Sequence, residues 1–239
     1  MAALRSVGGI QVRYSPWYGN LQAVLVAAPT QVWMRDPEIL MRAMAVGREM
    51  GYSRFLVQAT GATQKQILLD AGFRELDRLH VLFRRCALAL PKVPDSAKVG
   101  RLQRASPIHV DEVIRVDNAC FEPFWAMNQL ALSEAVAATP RSRFRVMTVG
   151  DSDVLAGYAI FGLGGGEGYL QRIAVDPDWQ GRGFATRLIV DGLRWAKRWR
   201  ARRVGVNTQQ RNENALRLYL KLGFEQQTEG ISIFEPAAP

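Results

Sequence analysis

The sequence is poor in the residues that build disulfide frameworks and metal sites. Its 239 residues contain two cysteines, Cys86 and Cys120, and two histidines, His80 and His109. The cysteines lie in apolar surroundings without partner spacing, and the histidines lie in different halves of the chain. A disulfide framework, a zinc site and a histidine-rich metal centre are therefore disfavoured. We predict two buried free thiols and no metal.

Long apolar runs are also missing. No run reaches the roughly 18 residues that a membrane span needs, and the N-terminus lacks a charged segment followed by an apolar one. We therefore expect a protein of the cytoplasm with no membrane partner. The length suffices for one large domain or two small ones, each with a proper core.

Acidic residues are few in comparison with basic ones, 22 against 31, which gives a net charge of +9. The densest basic cluster falls at the end of a predicted helix. It consists of Arg194, Lys197, Arg198, Arg200, Arg202 and Arg203. Cations are favourable at a helix C-terminus. We therefore favour a solvated basic face over a polyanion site, and we do not expect a nucleic-acid partner.

The segment from Tyr169 to Thr186 reads as a buried strand, a turn and the start of a helix. The strand ends at Ile173-Ala174-Val175, and Asp176-Pro177-Asp178 provides strong turn chemistry. Gln180-Gly181-Arg182-Gly183-Phe184-Ala185 follows, with two glycines where a backbone must approach a ligand closely. Unpaired N–H groups at a helix N-terminus suit a pyrophosphate.

A second motif lies about 25 residues further on. It reads Asn212-x-x-Ala215-x-x-x-Tyr219-x-x-Leu222-Gly223-Phe224. Together with Gln180-x-x-Gly183-x-Ala185, in this order and at this separation, it resembles the signature of the GNAT acyltransferases. The resemblance implies an α/β fold with a mixed, mostly antiparallel sheet flanked by helices, and it implies acetyl-CoA as the cofactor.

The resemblance also implies a cofactor site. The backbone of Ile173, Ala174 and Val175 would pair with the pantetheine arm, and an N–H near Val175 would face the thioester carbonyl. The pyrophosphate would lie on the N–H groups of Gly181, Arg182, Gly183, Phe184, Ala185 and Thr186, flanked by the side chains of Gln180 and Arg182. Asn212 would help to hold the cofactor arm, although an asparagine that begins a helix is also a plain N-cap.

Tyr219 resembles the family tyrosine that protonates the leaving thiolate, a role that suits a phenol because it stays protonated at neutral pH. The general base is less clear. Relatives carry a glutamate where this chain has Asn207 or Tyr169. Glu167 is the nearest carboxylate and our candidate, Glu122 and Asp117 are more distant ones, and an ordered water is the alternative.

The first half of the chain resembles a degenerate copy of the same fold. A helix, a strand, a second helix and Gly72-Phe73 follow one another as they do after the glycine loop, and Phe73 to Leu90 reads as two strands in one hairpin. Arg35-Asp36-Pro37-Glu38 replaces the glycine loop, and Leu68 replaces the tyrosine. We predict a domain without a cofactor site at 1–90, a linker at 91–98 and a catalytic domain at 99–239.

The second half also has a cluster of aromatic residues, Phe121 to Trp125, that resembles the segment between the first two helices of enzymes acetylating protein N-termini. We therefore expect an N-acetyltransferase that moves an acetyl group from acetyl-CoA to a primary amine by direct attack. The acceptor is a protein N-terminus or a lysine, or alternatively a small amine. A third hypothesis is a regulatory protein that binds CoA without turnover. The sequence leaves the acyl chain length and the oligomeric state open.

Overall fold

A computed structural model describes residues 2–150 and 154–237. The chain forms two compact units. Unit 1 comprises Met1–Val81, Gln209–Arg211 and Gln227–Pro239, and unit 2 comprises Leu82–Thr208 and Asn212–Gln226. In the described part of the chain, no helix combines the length and the apolar character that crossing a membrane requires.

Unit 1 is an open sheet with helices. Its elements are β1 (Ala3–Val7), β2 (Ile10–Trp17), β3 (Asn20–Ala27), α1 (Thr30–Trp33), α2 (Glu38–Glu49), β4 (Arg54–Thr60), α3 (Gly61–Asp70), the first part of β5 (Phe73–Arg85) and β12 (Ile231–Pro236). The strand order is β1-β2-β3-β4-β12-β5. β3 and β4 are parallel, whereas the other neighbours are antiparallel.

The core of unit 1 forms where the apolar stripe of α2 packs on the sheet. Ile39, Leu40 and Met44 are buried, as the spacing of an amphipathic helix predicts. The buried Tyr14 donates its hydroxyl to the carbonyl oxygen of Ala43 at 2.8 Å. Gly47 is required here because a Cβ would lie 2.4 Å from the ring of Phe55.

The C-terminal strand β12 belongs to unit 1. It lies between β4 and β5, and its Phe234 is buried in the core of that unit. Glu235 is also buried and pairs with Arg54 at 2.9 Å and with Arg74. The last strand of the chain therefore belongs to unit 1, and the chain passes from unit 1 to unit 2 within β5. The linker at 91–98 stays a prediction.

Unit 2 contains the motif segments. Its elements are the end of β5, β6 (Arg101–Arg104), α4 (Val110–Cys120), α5 (Gln129–Ala137), β7 (Arg141–Val149), β8 (Val154–Gly164), β9 (Glu167–Val175), α6 (Phe184–Arg198), β10 (Arg203–Gln209), α7 (Glu213–Lys221) and β11 (Glu225–Gln226), with 3₁₀ turns at Asp95–Val99, Pro107–His109 and Pro177–Trp179. The sheet runs β6-β7-β8-β9-β10. Only β9 and β10 are parallel among these neighbours.

The predicted α/β class with a mixed, mostly antiparallel sheet flanked by helices is confirmed. The order of strand, helix, parallel strand and helix occurs in both units, as β3-α2-β4-α3 and as β9-α6-β10-α7. The hairpin predicted over Phe73 to Leu90 is wrong. Phe73–Arg85 forms one continuous strand, because this stretch has no glycine, proline or asparagine to make a turn.

Candidate functional site

Strands β9 and β10 separate part of the way along their length. Their parallel register covers Gly168–Leu170 against Val204–Val206, whereas β9 continues to Val175. Pairing of β9 with β8 continues to Val175 on its other side. The last part of β9 therefore has an open backbone edge, which we call the gap.

A β-bulge in β9 lies just before this open edge. The register with β8 changes from Ile160↔Arg172 to Phe161↔Leu170, so Gln171 is the additional residue. The bulge puts Leu170 and Arg172 on opposite faces of the sheet. Leu170 packs in the apolar cluster with α6, whereas Arg172 meets α4 on the other face.

The backbone of Ile173 and Val175 faces the gap. Asp176 donates its N–H to the carbonyl of Ala156 at 3.0 Å, and Val175 lies opposite Gly157. This combination identifies Val175 and Gly157 as a pair that exchanges no hydrogen bonds, so the polar groups of Val175 point away from β8. Ile173, two residues earlier, has the same orientation. The carbonyl of Val175 accepts hydrogen bonds from Gln180 and Cys120, so the gap presents the N–H of Val175 and the polar backbone groups of Ile173 to an extended ligand.

The glycine loop follows directly. Gly181 and Gly183 have φ angles of 74° and 80°, values that side chains rarely adopt. Gly183 is the N-cap of α6, so the N–H groups of Phe184, Ala185 and Thr186 have no acceptor within the helix. Side chains fix the loop's ends. Gln180 donates its amide to the carbonyl of Val175 at 3.0 Å, and Phe184 is buried and stacks on Trp179.

Residues of the predicted linker, 91–98, pack against one side of this loop. A Cβ on Gly183 would lie 3.0 Å from Pro94 and 3.4 Å from the Cβ of Ala97. Ser96 donates its hydroxyl to the carbonyl of Arg182 at 3.1 Å. In contrast, a Cβ on Gly181 would meet no protein atom within 4 Å. The loop is thus supported at Gly183 and open at Gly181.

Arg182 lies on the outer side of the loop. Its guanidinium is 4.5 Å from the centre of the Trp179 ring, an arrangement that favours the cation. Its side chain is exposed to solvent. It therefore adds positive charge beside the helix N-terminus, where an anion is already favoured.

Tyr219 lies in the apolar cluster that also contains Val175 and Val206. It is 4% exposed and packs against Phe224 at 5.6 Å between ring centres. Burial raises the pKa of the Tyr219 phenol above its ordinary value. The phenol therefore holds its proton across the physiological pH range, as a proton donor must.

A buried polar network holds the α4–α5 segment on the other face of β9. Asp117 is fully buried and accepts hydrogen bonds from Arg172 Nε at 2.7 Å, from Arg172 Nη2 at 2.8 Å and from the N–H of Met127 at 2.9 Å. Tyr158 donates its hydroxyl to the same carboxylate. Burial and the Asp117 charge raise the pKa of Tyr158 well above its ordinary value.

The same network fixes the aromatic segment. Arg172 donates to the carbonyl of Trp125 at 2.6 Å, and its guanidinium lies 3.5 Å from the centre of the Phe121 ring. Next to Phe121, Cys120 donates its thiol to the carbonyl of Val175 at 3.2 Å. The segment after α4 is thereby tied to the end of β9 that borders the gap.

Two residues assigned to this site have other roles or positions in the structure. Glu167 begins β9, eight residues before Val175, which corresponds to about 26 Å along a strand. It pairs with Arg203 at 3.0 Å. Asn212 accepts the N–H of Ala215 at 3.0 Å and is the N-cap of α7. The structure does not bring Glu167 to the end of β9 where the gap and the loop meet.

The remaining candidates for the base do not form a carboxylate site either. Asn207 is exposed on β10 and Tyr169 is 39% exposed on β9. Asp117 is engaged with Arg172, Tyr158 and Met127. Within residues 2–150 and 154–237, no group of three or more histidine, cysteine or acidic side chains could hold a metal ion.

Sequence reasoning missed the Asp117–Arg172 pair and the thiol of Cys120. A signal was present, because Arg172 interrupts an apolar strand and Asp117 falls on the buried stripe of a helix. Two opposite charges in buried positions indicate a pair. Their assignment to each other required the bulge at Gln171, which the sequence does not reveal.

Comparison with known proteins gives one family match. The model of the Acetyltransferase (GNAT) family matches residues 110–224. This range contains the gap, the glycine loop, Tyr219 and the Asp117–Arg172 pair. No curated protein matches the sequence.

Solved structures share the fold at low identity. A tandem GNAT protein from the clavulanic acid biosynthesis pathway is 16% identical, with a TM-score of 0.72, over 100% of this chain and 84% of that one. A GCN5-related N-acetyltransferase from Kribbella flavida is 12% identical, with a TM-score of 0.66, over 100% of this chain and 90% of that one. Another GCN5-related N-acetyltransferase, from Sphaerobacter thermophilus, is 15% identical, with a TM-score of 0.65, over 95% of this chain and 76% of that one.

Proposed function

From the premise that residues 110–224 form a GNAT acetyltransferase domain, we propose that this chain transfers an acetyl group from acetyl-CoA to a primary amine by direct attack. One observation carries the proposal. The gap beside Ile173 and Val175 leads directly to a glycine loop at the N-terminus of α6. A ligand with an extended polar arm and a pyrophosphate matches both parts.

The residues present fit acetyl-CoA. The backbone of Ile173 and Val175 would hold the pantetheine arm, with Ala174 between them anchored to β8 through its pairing with Tyr158. The loop from Gly181 to Thr186 would hold the pyrophosphate, and Gly181 is open for close backbone approach. When bound, acetyl-CoA supplies an acetyl group activated as a thioester.

The chain contributes charge stabilisation and a proton. The N–H of Val175 points into the gap, where it can stabilise negative charge on an oxygen of the reacting acyl group. The buried phenol of Tyr219 keeps its proton and can donate it to a thiolate. Both groups belong to one apolar cluster, which excludes water and strengthens each interaction.

We assign no side-chain base. Glu167 lies about 26 Å along β9 from Val175, and Arg203 already neutralises it. An amine that arrives unprotonated needs only a water molecule to accept its proton. The N-cap role of Asn212 does not prevent its amide from contacting the cofactor arm, and we retain it as a binding residue.

The acceptor would approach past the α4–α5 segment. Phe121 and Trp125 are fixed there by Arg172, so this wall is rigid rather than adaptable. A peptide N-terminus or a lysine side chain is the acceptor class that we propose, with a small amine as the alternative.

Unit 1 is proposed to be a degenerate copy without a cofactor site. The N-cap of its α2 is Pro37, which has no N–H to offer. Asp36 accepts the N–H of Glu38 at 3.1 Å and pairs with Arg42. A helix N-terminus that carries carboxylates, and whose N–H of Glu38 already has an acceptor, repels a pyrophosphate. We therefore expect one acetyl-CoA site per chain.

Calorimetric titration with acetyl-CoA tests this proposal. We expect a stoichiometry of one for the full chain, and at least tenfold weaker binding for Gly181→Val. The matched control is Gly72→Val, because Gly72 also has a positive φ, 80°, and open space around the added Cβ. Equal affinity in both variants, or a stoichiometry of two, would contradict the assignment.

A further inference from the structure

We propose that the C-terminal end of α6 forms a second binding site, which takes single-stranded nucleic acid and is separate from the acetyl-CoA site. The centre of this surface is Trp199, and its cations are Arg141, Arg194, Lys197, Arg198, Arg200 and Arg202. We call it the basic face. Because α6 has 15 residues, the basic face lies about 22 Å from the glycine loop.

The basic face has an uncompensated positive charge. No acidic residue occurs between Asp191 and Glu213, a stretch with seven arginines and lysines. Arg194, Lys197 and Arg198 follow the i, i+3, i+4 spacing that puts side chains on one side of a helix. Four of these cations have no ion pair with any carboxylate in the described ranges. These four are Arg194, Lys197, Arg198 and Arg200.

The backbone conformation of Arg200 indicates that the basic face does more than end a helix with solvated charges. The N–H of Ala201 donates to Ala196 at 3.0 Å and that of Arg200 to Lys197 at 3.0 Å, the two bonds of a Schellman motif. Glycine is the usual residue in the position of Arg200, and Arg200 has a φ of 58°. The chain therefore has an arginine where a glycine would be less strained. Backbone strain of this kind is concentrated at functional sites.

An aromatic surface lies among these cations. Trp199 is 49% exposed, although the guanidinium of Arg141 already lies 4.1 Å from the centre of its ring. Beside it is a cavity of about 250 Å³. Gly164, Gly165, Gly166 and Glu167 form part of its wall. The Glu167 carboxylate pairs with Arg202 and Arg203.

This combination favours a nucleic-acid strand over an acidic protein. The cavity is smaller than the roughly 300–1,000 Å³ of a pocket for a drug-sized ligand, so it suits a single planar group such as a base. A base can stack on an exposed tryptophan while arginines neutralise the adjacent phosphates. An acidic peptide would use the cations but would leave the aromatic ring and the cavity without a role.

The test is fluorescence anisotropy of labelled 12-nucleotide oligouridylate and oligothymidylate with the full chain. We expect dissociation constants of about 1–100 µM in low salt, weakening as salt rises. Trp199→Ala should weaken binding about 5- to 100-fold, the range for the loss of one stacked base. Comparing the two oligonucleotides shows whether the strand is RNA or DNA.

Arg200→Gly separates binding from folding, because glycine relieves the left-handed backbone. It should weaken binding about fivefold without lowering the melting temperature. Arg35→Gly, which removes the same charge from an exposed position in unit 1, should bind within twofold of the unmodified chain. Binding within twofold for both Trp199→Ala and Arg200→Gly would overturn the proposal. So would labelled polyglutamate that binds as tightly as the oligonucleotides regardless of Trp199.

Discussion

Asp117→Asn is expected to destabilise unit 2 strongly. The substitution keeps the size of the side chain and one acceptor oxygen, which can still accept the N–H of Met127. It removes the charge that faces Arg172, which is 7% exposed and pairs with Asp117 at 2.7 Å. Removing one member of a buried ion pair typically costs about 3–5 kcal/mol.

That loss is a large part of the roughly 5–15 kcal/mol by which a folded domain is stable. Urea unfolding followed by near-ultraviolet circular dichroism measures it. Asp111→Asn is the control, because Asp111 lies on the same helix and is exposed, and it should change the unfolding free energy by less than about 0.5 kcal/mol.

A double variant tests the reasoning itself. If the cost comes from the unpaired guanidinium, Asp117→Asn combined with Arg172→Gln should be less destabilising than the sum of the two single changes, by at least about 1 kcal/mol. Strict additivity, or a loss below about 1 kcal/mol for Asp117→Asn alone, would refute the account of a coupled buried pair.

Three further predictions follow from the same structure. Tyr219→Phe should lower kcat about 10²- to 10⁴-fold with an unchanged acetyl-CoA Kd, and full activity when chemistry limits the rate would exclude Tyr219 as the acid. Burial, with the nearby charges of Asp117 and Asp176, raises the pKa of Cys120 to about 11 from 9.0. The folded state therefore holds the thiol proton more tightly than the unfolded state. The contribution of Cys120 to folding stability is complete below pH 9 and is lost as the pH rises towards 11. Melting temperatures should fall over this window, and they should fall less in Cys120→Ala. Arg200→Gly should stabilise the protein by about 1 kcal/mol, whereas Arg194→Gly, at an exposed position inside the helix, should destabilise it by a similar amount. Equal signs in thermal unfolding would contradict the left-handed assignment.

Much of unit 2 could be predicted because its signals are local. The turn at Asp176 and the glycines of the loop identified a strand and a helix start within a few residues of their positions in the structure. Such signals depend on backbone dihedral angles and on periodicity, which neighbouring residues determine.

Other features of the structure depend on distant parts of the chain and could not be predicted. The pairing of β12 with β4 and β5 joins residues separated by about 150 positions or more, and alternation within Ile231–Pro236 gives no indication of its partner. Glu167 was selected as the nearest carboxylate along the sequence. A strand is extended, so a separation of eight residues puts its ends far apart. The bulge at Gln171 was equally invisible, because a bulge is defined by the neighbouring strand.

Acetyl transfer itself is the most direct test of the account. The full chain is incubated with acetyl-CoA and three acceptor pools: peptides with free N-termini, N-blocked peptides with an internal lysine, and small primary amines. Released CoA thiol and acetylated product, identified by mass spectrometry, are measured together. We expect equal amounts of thiol and acetylated amine in at least one pool, lost in Gly181→Val and retained in Gly72→Val. Acetyl-CoA binding by calorimetry, with no thiol released above the rate of hydrolysis in any pool, would contradict the transferase assignment and indicate a protein that binds CoA without turnover.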